Sequence, residues 1–120
     1  MATHRLEAGD RTLHGTFSRD RPPALEVAPG DTVVLTTLDA GWSTGPWTGG
    51  PGAAWRRHPA WRDGCGHALT GPIAVRGAEP GDTLEVRVVD VVPGGYGTTF
   101  AGRQPTPYNT AQHGTTRPTG

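Results

Sequence analysis

Apolar and polar positions alternate along this chain in short bursts, without the period of a helix. Leu13-His14-Gly15-Thr16-Phe17, Ala24-Leu25-Glu26-Val27 and Ile73-Ala74-Val75-Arg76 place apolar side chains two apart. Denser β-branched runs follow at Val33-Val34-Leu35-Thr36-Thr37-Leu38-Asp39 and Leu84-Glu85-Val86-Arg87-Val88-Val89-Asp90. A period of two puts alternate side chains on one face of a strand, so these segments predict β-structure. Two of the joins are the same tetrapeptide, Pro-Gly-Asp-Thr, at 29–32 and 80–83. Pro at the second position presets φ and Gly at the third accepts φ > 0, which a type II turn requires. The unit of strand, Pro-Gly turn and strand therefore occurs twice. The predicted fold is mostly β: a small antiparallel β-sandwich or barrel-like domain with hairpins at the two turns.

Between the repeats, Gly41 to Gly66 carries all four tryptophans (Trp42, Trp47, Trp55 and Trp61) among Gly and Pro, with neither period. It reads as a long structured loop, because disordered segments are poor in aromatics and long loops inside compact domains tend to be functional. After Phe100 the composition shifts to Gln104-Pro105-Thr106-Pro107-Tyr108-Asn109-Thr110 and onward to Gly120. The predicted organisation is one β domain over 1–100 and a tail without order over 101–120.

At 120 residues a single small core is possible, but 19 Gly, 12 Pro and 33% hydrophobic residues leave little to fill it. Stability is expected to be marginal without a partner. Eleven Arg balance eleven acidic groups, which gives no basic field for nucleic acid. The all-Arg cation set is attributed to genomic base composition rather than to phosphate recognition. Cys65 stands alone and cannot form an intramolecular disulfide. The sequence shows neither a signal-type apolar core nor a bilayer-length run, so no membrane partner and a cytoplasmic setting are expected.

Two stretches carry a family likeness. The first runs from His14 to Trp42, through Pro22-Pro23-Ala24-Leu25, Pro29-Gly30-Asp31-Thr32 and Thr37-Leu38-Asp39-Ala40-Gly41-Trp42. The second is Gly66-His67-Ala68-Leu69-Thr70-Gly71-Pro72-Ile73-Ala74-Val75-Arg76-Gly77-Ala78-Glu79-Pro80-Gly81-Asp82-Thr83-Leu84. Together they resemble the N-terminal part of the acetamidase/formamidase family, over about residues 4–97. The resemblance implies a β-rich amidohydrolase that splits short linear amides, of the formamide or acetamide type, into a carboxylate and ammonia. Family members are substantially longer, so it also implies a fragment, with homo-oligomers expected for the complete protein. Past Gly97 the family pattern is expected to give way to the Pro/Thr/Gln-rich tail, which puts activity of the short chain in doubt.

Amide hydrolysis at neutral pH needs a nucleophile, a polarised carbonyl and a proton for the departing nitrogen. A divalent metal, zinc among the candidates, meets the first two needs by activating water and acting as a Lewis acid. Asp39 and His67 match positions in the family motifs at strand-loop junctions and are the expected metal ligands, with His67 also a catalytic candidate. From spacing alone, a turn-capping Asp and a surface His are much the better explanation of them. Glu79 matches the Gly-Ala-Glu-Pro-Gly-Asp motif and is the candidate general acid or base, although Ala28 holds the equivalent place in the first repeat. Trp42, alone of the four tryptophans inside a matched motif, is the candidate for substrate binding. Asp31 and Asp82, which close both turns, are assigned to backbone bonding. Cys65 and His67 are too loosely related by spacing to define a Cys-His nucleophile. His4, His14, His58 and His113 show no ligand spacing and are read as ordinary surface groups.

Two other classes compete. Cupredoxins also place Pro-Gly-Asp-Thr before β-branched strands, but their two His, Cys and axial Met have no counterpart here, since the only Met is Met1. A non-catalytic β module remains consistent with the residues.

Overall fold

A computed structural model describes residues 1–49, 56–97 and 106–113. Among these described residues, six short strands and one helix follow in the order β1 (Thr3–Leu6), β2 (Leu13–His14), β3 (Leu25–Val27), β4 (Thr32–Leu35), β5 (Leu69–Thr70), β6 (Ile73–Val75) and α1 (Pro107–His113). The molecule is mostly β, as the alternation predicts.

The pairing differs from the expected hairpins. Among the described residues the strands form three two-stranded sheets, β1 with β4, β2 with β5 and β3 with β6. The first and third are parallel, Thr3 facing Thr32 and Leu25 facing Ile73; only β2 and β5 run antiparallel. Both Pro-Gly turns do form. Asp31 N donates to the Ala28 carbonyl at 3.1 Å and Asp82 N to the Glu79 carbonyl at 3.0 Å, with Gly30 at φ 88° and Gly81 at φ 100°. The first turn nevertheless sends its flanking strands apart, β3 to β6 and β4 to β1, and among the described residues no strand follows the second. Turn chemistry fixes a chain reversal; which long-range partner each strand then meets depends on side-chain burial, and a parallel ladder leaves no local signature.

Among the described residues the buried apolar side chains are few: Leu6, Leu13, Val27 and Trp42. Leu6 ends β1, Leu13 opens β2 and Val27 ends β3, so the strand ends converge on the core. Gly15 lets the Trp-rich loop approach β2. A Cβ at Gly15 would stand 2.5 Å from Cys65 Cβ and 3.1 Å from the Trp42 ring. The same approach lets Gly66 N donate to the Gly15 carbonyl at 2.8 Å. Phe17, expected inside a strand, is exposed beyond the end of β2.

Leu84 to Val92 has the strongest strand pattern of the chain, yet it joins no strand pair among the described residues and its apolar side chains are exposed. At the other extreme, α1 occupies part of the stretch whose composition predicts no order. Thr106 precedes Pro107 there, and a Thr cap followed by Pro at the first helical position is a helix-start signal that bulk composition hides. Trp55 and Phe100 lie outside the described residues.

Candidate functional site

Asp39 begins a tight turn. Trp42 N donates to the Asp39 carbonyl at 2.8 Å, and Asp39 Oδ2 accepts from Gly41 N at 3.0 Å and Ser43 N at 3.4 Å. An aspartate that bonds its own backbone two residues on is the usual device for such a reversal. A Cβ on Gly41 would lie 3.1 Å from Asp39 Oδ2, a tight contact that the glycine avoids. Oδ1 has no bonding partner among the described residues.

The chain leaves this turn through Trp42 at φ 66°. Left-handed backbone is rare for a bulky residue and costs about 1–3 kcal/mol unless the surroundings hold it. They do so here. The Trp42 side chain is 3% exposed, its indole Nε1 donates to the Gly66 carbonyl at 2.8 Å, and its own carbonyl accepts from His58 N at 2.8 Å. Ser43, fully buried, then bridges to Arg57 across the loop.

These bonds tie the Asp39 turn to the segment bearing His67. Ala68 N donates to the Ala40 carbonyl at 3.0 Å, and Trp42 meets Gly66 two residues further along. The two segments therefore run antiparallel, with His67 between the cross-links, across from Gly41. Because the Asp39 carboxylate folds back onto the Gly41 N–H, the predicted pair belongs to one junction of the chain. Their side chains make no hydrogen bond or ion pair with each other, and the exposed imidazole has no partner among the described residues.

Beside this junction lies an open cleft of about 240 Å³ lined by Thr37, Leu38, Asp39, Gly94 and Tyr96. Tyr96 is pinned there by Ser43, hydroxyl to hydroxyl at 3.2 Å, and its OH also lies 3.4 Å from the Ser43 carbonyl. Neither Ser43 nor Tyr96 stands out in the sequence: one lies in a Gly/Thr-rich loop, the other in Gly94-Gly95-Tyr96-Gly97. A larger depression of about 430 Å³, lined by Asp10, Leu13, Arg21, Pro59, Ala60 and Arg62, lies among none of the predicted residues. Its guanidinium groups are already engaged, Arg21 on the Leu13 carbonyl and Arg62 on those of Pro59 and Trp61.

The remaining sequence candidates lie elsewhere. Glu79 opens the second Pro-Gly turn, exposed, with no side-chain partner among the described residues. Trp42 is too deeply covered to offer a ligand much surface, and its indole serves to lock the junction. Cys65 packs against Gly15 and makes no bond with His67. Asp31 and Asp82 bond the backbone as assigned, accepting from Ala28 N at 3.0 Å and Glu79 N at 2.9 Å. Among the described residues, no group of three or more His, Cys, Asp or Glu is placed to hold a metal ion. Asp39 and His67 thus supply two donors of suitable chemistry, one short of the three protein ligands a catalytic zinc ordinarily keeps.

A mostly-β domain with a carboxylate and an imidazole at one strand-loop junction is the class of protein that fold and site define. Comparison with known proteins is specific. The acetamidase/formamidase family profile matches residues 2–116, and the chain belongs to that family. The match continues past Gly97, where the sequence pattern is expected to stop. A Schizosaccharomyces pombe protein named "Putative formamidase" is 34% identical over 87 residues, covering 68% of this chain and 19% of that protein. The chain therefore spans about a fifth of the length of this curated relative. No solved structure matches. Among the described residues, no helix is long and apolar enough to cross a membrane.

Proposed function

We propose that this chain is an N-terminal portion of a hydrolase acting on short linear amides of the formamide or acetamide type, and that the Asp39-His67 junction is its share of the catalytic site. Membership of the acetamidase/formamidase family carries the reading. The cross-link between Ala40 and Ala68 supports it locally, since it ties the Asp39 turn, which lines an open cleft, to the segment bearing His67.

In this reading Asp39 and His67 are two ligands of a divalent ion, zinc in the first instance, and a third donor comes from chain beyond this portion. When bound, such an ion activates water and polarises the amide carbonyl. The chain's own residues orient and hold. Gly41 N and Ser43 N fix Asp39 Oδ2 and leave Oδ1 free to coordinate. Trp42 positions the junction through Gly66, and Tyr96 presents a phenol to the cleft. Glu79 serves as proton donor to the leaving nitrogen only if the complete protein brings its exposed turn to the cleft. A cytoplasmic location and homo-oligomers of the complete protein belong to the same proposal.

Zinc titration by calorimetry, paired with ammonia release from formamide and acetamide, tests it. The expected result is weak zinc binding by the 120-residue chain that is lost in Asp39→Asn and His67→Ala, with ammonia at background. Zinc binding unchanged in both variants, or none in the parent, overturns the two-donor reading. Turnover by the parent that survives both substitutions overturns the site.

A further inference from the structure

The turn that leads from the Trp-rich loop to His67 holds the chain's single Asp-Gly pair, Asp63-Gly64. Cys65 N donates to the Arg62 carbonyl at 3.2 Å across it, and Gly64 takes φ 79°, a conformation glycine reaches without the cost a side chain adds. Both residues are exposed, and a Cβ at Gly64 would meet nothing within 4 Å. Six of the seven aspartates have engaged carboxylates. Asp31, Asp39, Asp82 and Asp90 accept from backbone N–H groups, while Asp10 and Asp20 stand 3.9 and 4.0 Å from His58 and Arg19. Asp63 makes neither a hydrogen bond nor an ion pair among the described residues, and the Gly64 N–H donates to nothing there. Each of the other six is also followed by a residue that carries a Cβ.

We propose that Asp63 is a site of spontaneous isoaspartate formation, which makes this turn a substrate for an enzyme that methylates the exposed α-carboxylate of such residues. The Gly64 nitrogen attacks the side-chain carbonyl carbon of Asp63 in its acid form. The new N–Cγ bond closes a succinimide ring, and the amide proton leaves with the carboxyl hydroxyl as water. Water then opens the ring. Attack at the α carbonyl breaks that carbon's bond to nitrogen and leaves the chain running through Cγ, one methylene longer, with a free α-carboxylate. No oxidant or cofactor enters. Glycine leaves the backbone free to rotate into the approach and places no Cβ beside it. The nitrogen and the carboxyl carbon meet without breaking any bond the turn relies on.

The added methylene falls between two sets of cross-links. Upstream, His58 N holds the Trp42 carbonyl; downstream, Gly66 N holds the Gly15 carbonyl at 2.8 Å and the Gly66 carbonyl holds the Trp42 indole. A longer turn cannot keep both in register, so the modification loosens Gly66 from Trp42. This inference stands on the loop alone and is independent of the hydrolase reading.

Ageing the 120-residue chain at mildly acidic pH and body temperature tests the site. Isoaspartate is counted by transfer of a labelled methyl group from S-adenosylmethionine, using an isoaspartate carboxyl methyltransferase, and located by electron-transfer fragmentation of peptides. Label is expected to accumulate at position 63 and at no other described aspartate, with amide exchange at Gly66 rising in the modified fraction. Asp63→Asn closes the same ring with loss of ammonia in place of water and is expected to convert faster. Asp63→Glu, whose ring would be one atom larger, stays unlabelled. Gly64→Ala slows labelling by about tenfold or more, a barrier higher by about 1.4 kcal/mol. Circular dichroism confirms that each variant folds, and a synthetic peptide of residues 61–67 gives the rate without the fold. A folded chain that stays unlabelled while the peptide converts shows that the turn protects the bond, and overturns the proposal. Equal labelling at Asp31 or Asp39 overturns it too, as does an Asp63→Asn variant that keeps its side-chain amide.

Discussion

Trp42 donates its indole N–H to the Gly66 carbonyl at 2.8 Å, joining a residue in left-handed backbone to the one that precedes His67. The turn capped by Asp39 is held in place from outside, across the loop, by a side chain whose own backbone is strained. Trp42→Phe keeps most of the buried area and removes the hydrogen bond, so it is expected to lower unfolding free energy by about 0.5–1.5 kcal/mol. Trp42→Ala also empties the core at that point and is expected to cost about 3–5 kcal/mol. Urea unfolding followed by circular dichroism separates the two. Equal losses would mean that the indole N–H contributes the whole effect and its packing none.

Gly15 and Cys65 meet with no space between them. A methyl group at position 15 would lie 2.5 Å from Cys65 Cβ, so Gly15→Ala forces the Trp-rich loop away from β2 and is expected to destabilise by about 1–3 kcal/mol. Cys65→Gly removes the opposing carbon. Combined with Gly15→Ala it is expected to recover part of the loss, although the Trp42 ring, 3.1 Å from the same methyl position, limits the rescue. Additive losses in the double variant would locate the strain elsewhere.

Residues 29–32 and 80–83 show what was legible in the chain. A Pro-Gly pair has few conformations open to it, and both turns adopt the expected one, with each turn aspartate bonding the backbone. The partner of each flanking strand was not legible, because alternation states which side chains share a face and says nothing about what lies at the strand's edge. Leu84 to Val92 alternates more cleanly than β1, yet among the described residues β1 is paired and Leu84 to Val92 is not. At the candidate site, Asp39 and His67 emerged only through motif resemblance, since each has an ordinary explanation taken alone. Their common junction depends on the Ala40–Ala68 and Trp42–Gly66 cross-links, which no local pattern announces. Ser43 and Tyr96 went unseen for the same reason: their importance lies in meeting each other.

Acid stability should depend on Asp31. Its carboxyl is held well below the usual carboxylate range, first by the Ala2 N–H, then by His4 and by the Ala28 N–H. A carboxylate with a lowered folded-state pKa stabilises fully above its unfolded value, about 3.9, and that contribution is lost as pH falls from there toward the folded value. The stability curve of the parent should therefore decline below about pH 4 more steeply than that of Asp31→Asn. Asp82→Asn serves as the comparison, because the Asp82 carboxylate accepts only from Glu79 N among the described residues and clasps no strand there. Thermal unfolding between pH 2.5 and 7 reads the difference. If Asp31→Asn and the parent lose stability in parallel, the clasp on β1 does not govern the acid limb.

The buried hydroxyl of Ser43 should be energetically coupled to Tyr96. Ser43 Oγ donates to the Gly45 carbonyl at 3.0 Å, which uses its single proton and leaves the oxygen to accept from Tyr96 OH at 3.2 Å. The Ser43 carbonyl, 3.4 Å away, shares that donor. Tyr96→Phe therefore strips a fully buried oxygen of its donor and is expected to cost about 0.5–1.5 kcal/mol. Ser43→Ala removes the acceptor and also orphans the Gly45 carbonyl, at a cost of about 1–3 kcal/mol. In a double-mutant cycle the two losses should fall short of additivity by about 0.5–1 kcal/mol, since each substitution alone already breaks the shared bond. The same bond anchors the chain just beyond the Leu84–Val92 segment, so Tyr96→Phe should also speed amide exchange at Gly94 and Gly95 more than at Ile73 and Val75 in β6. Strict additivity together with unchanged exchange at those glycines would show that Tyr96 is held beside Asp39 by something other than Ser43.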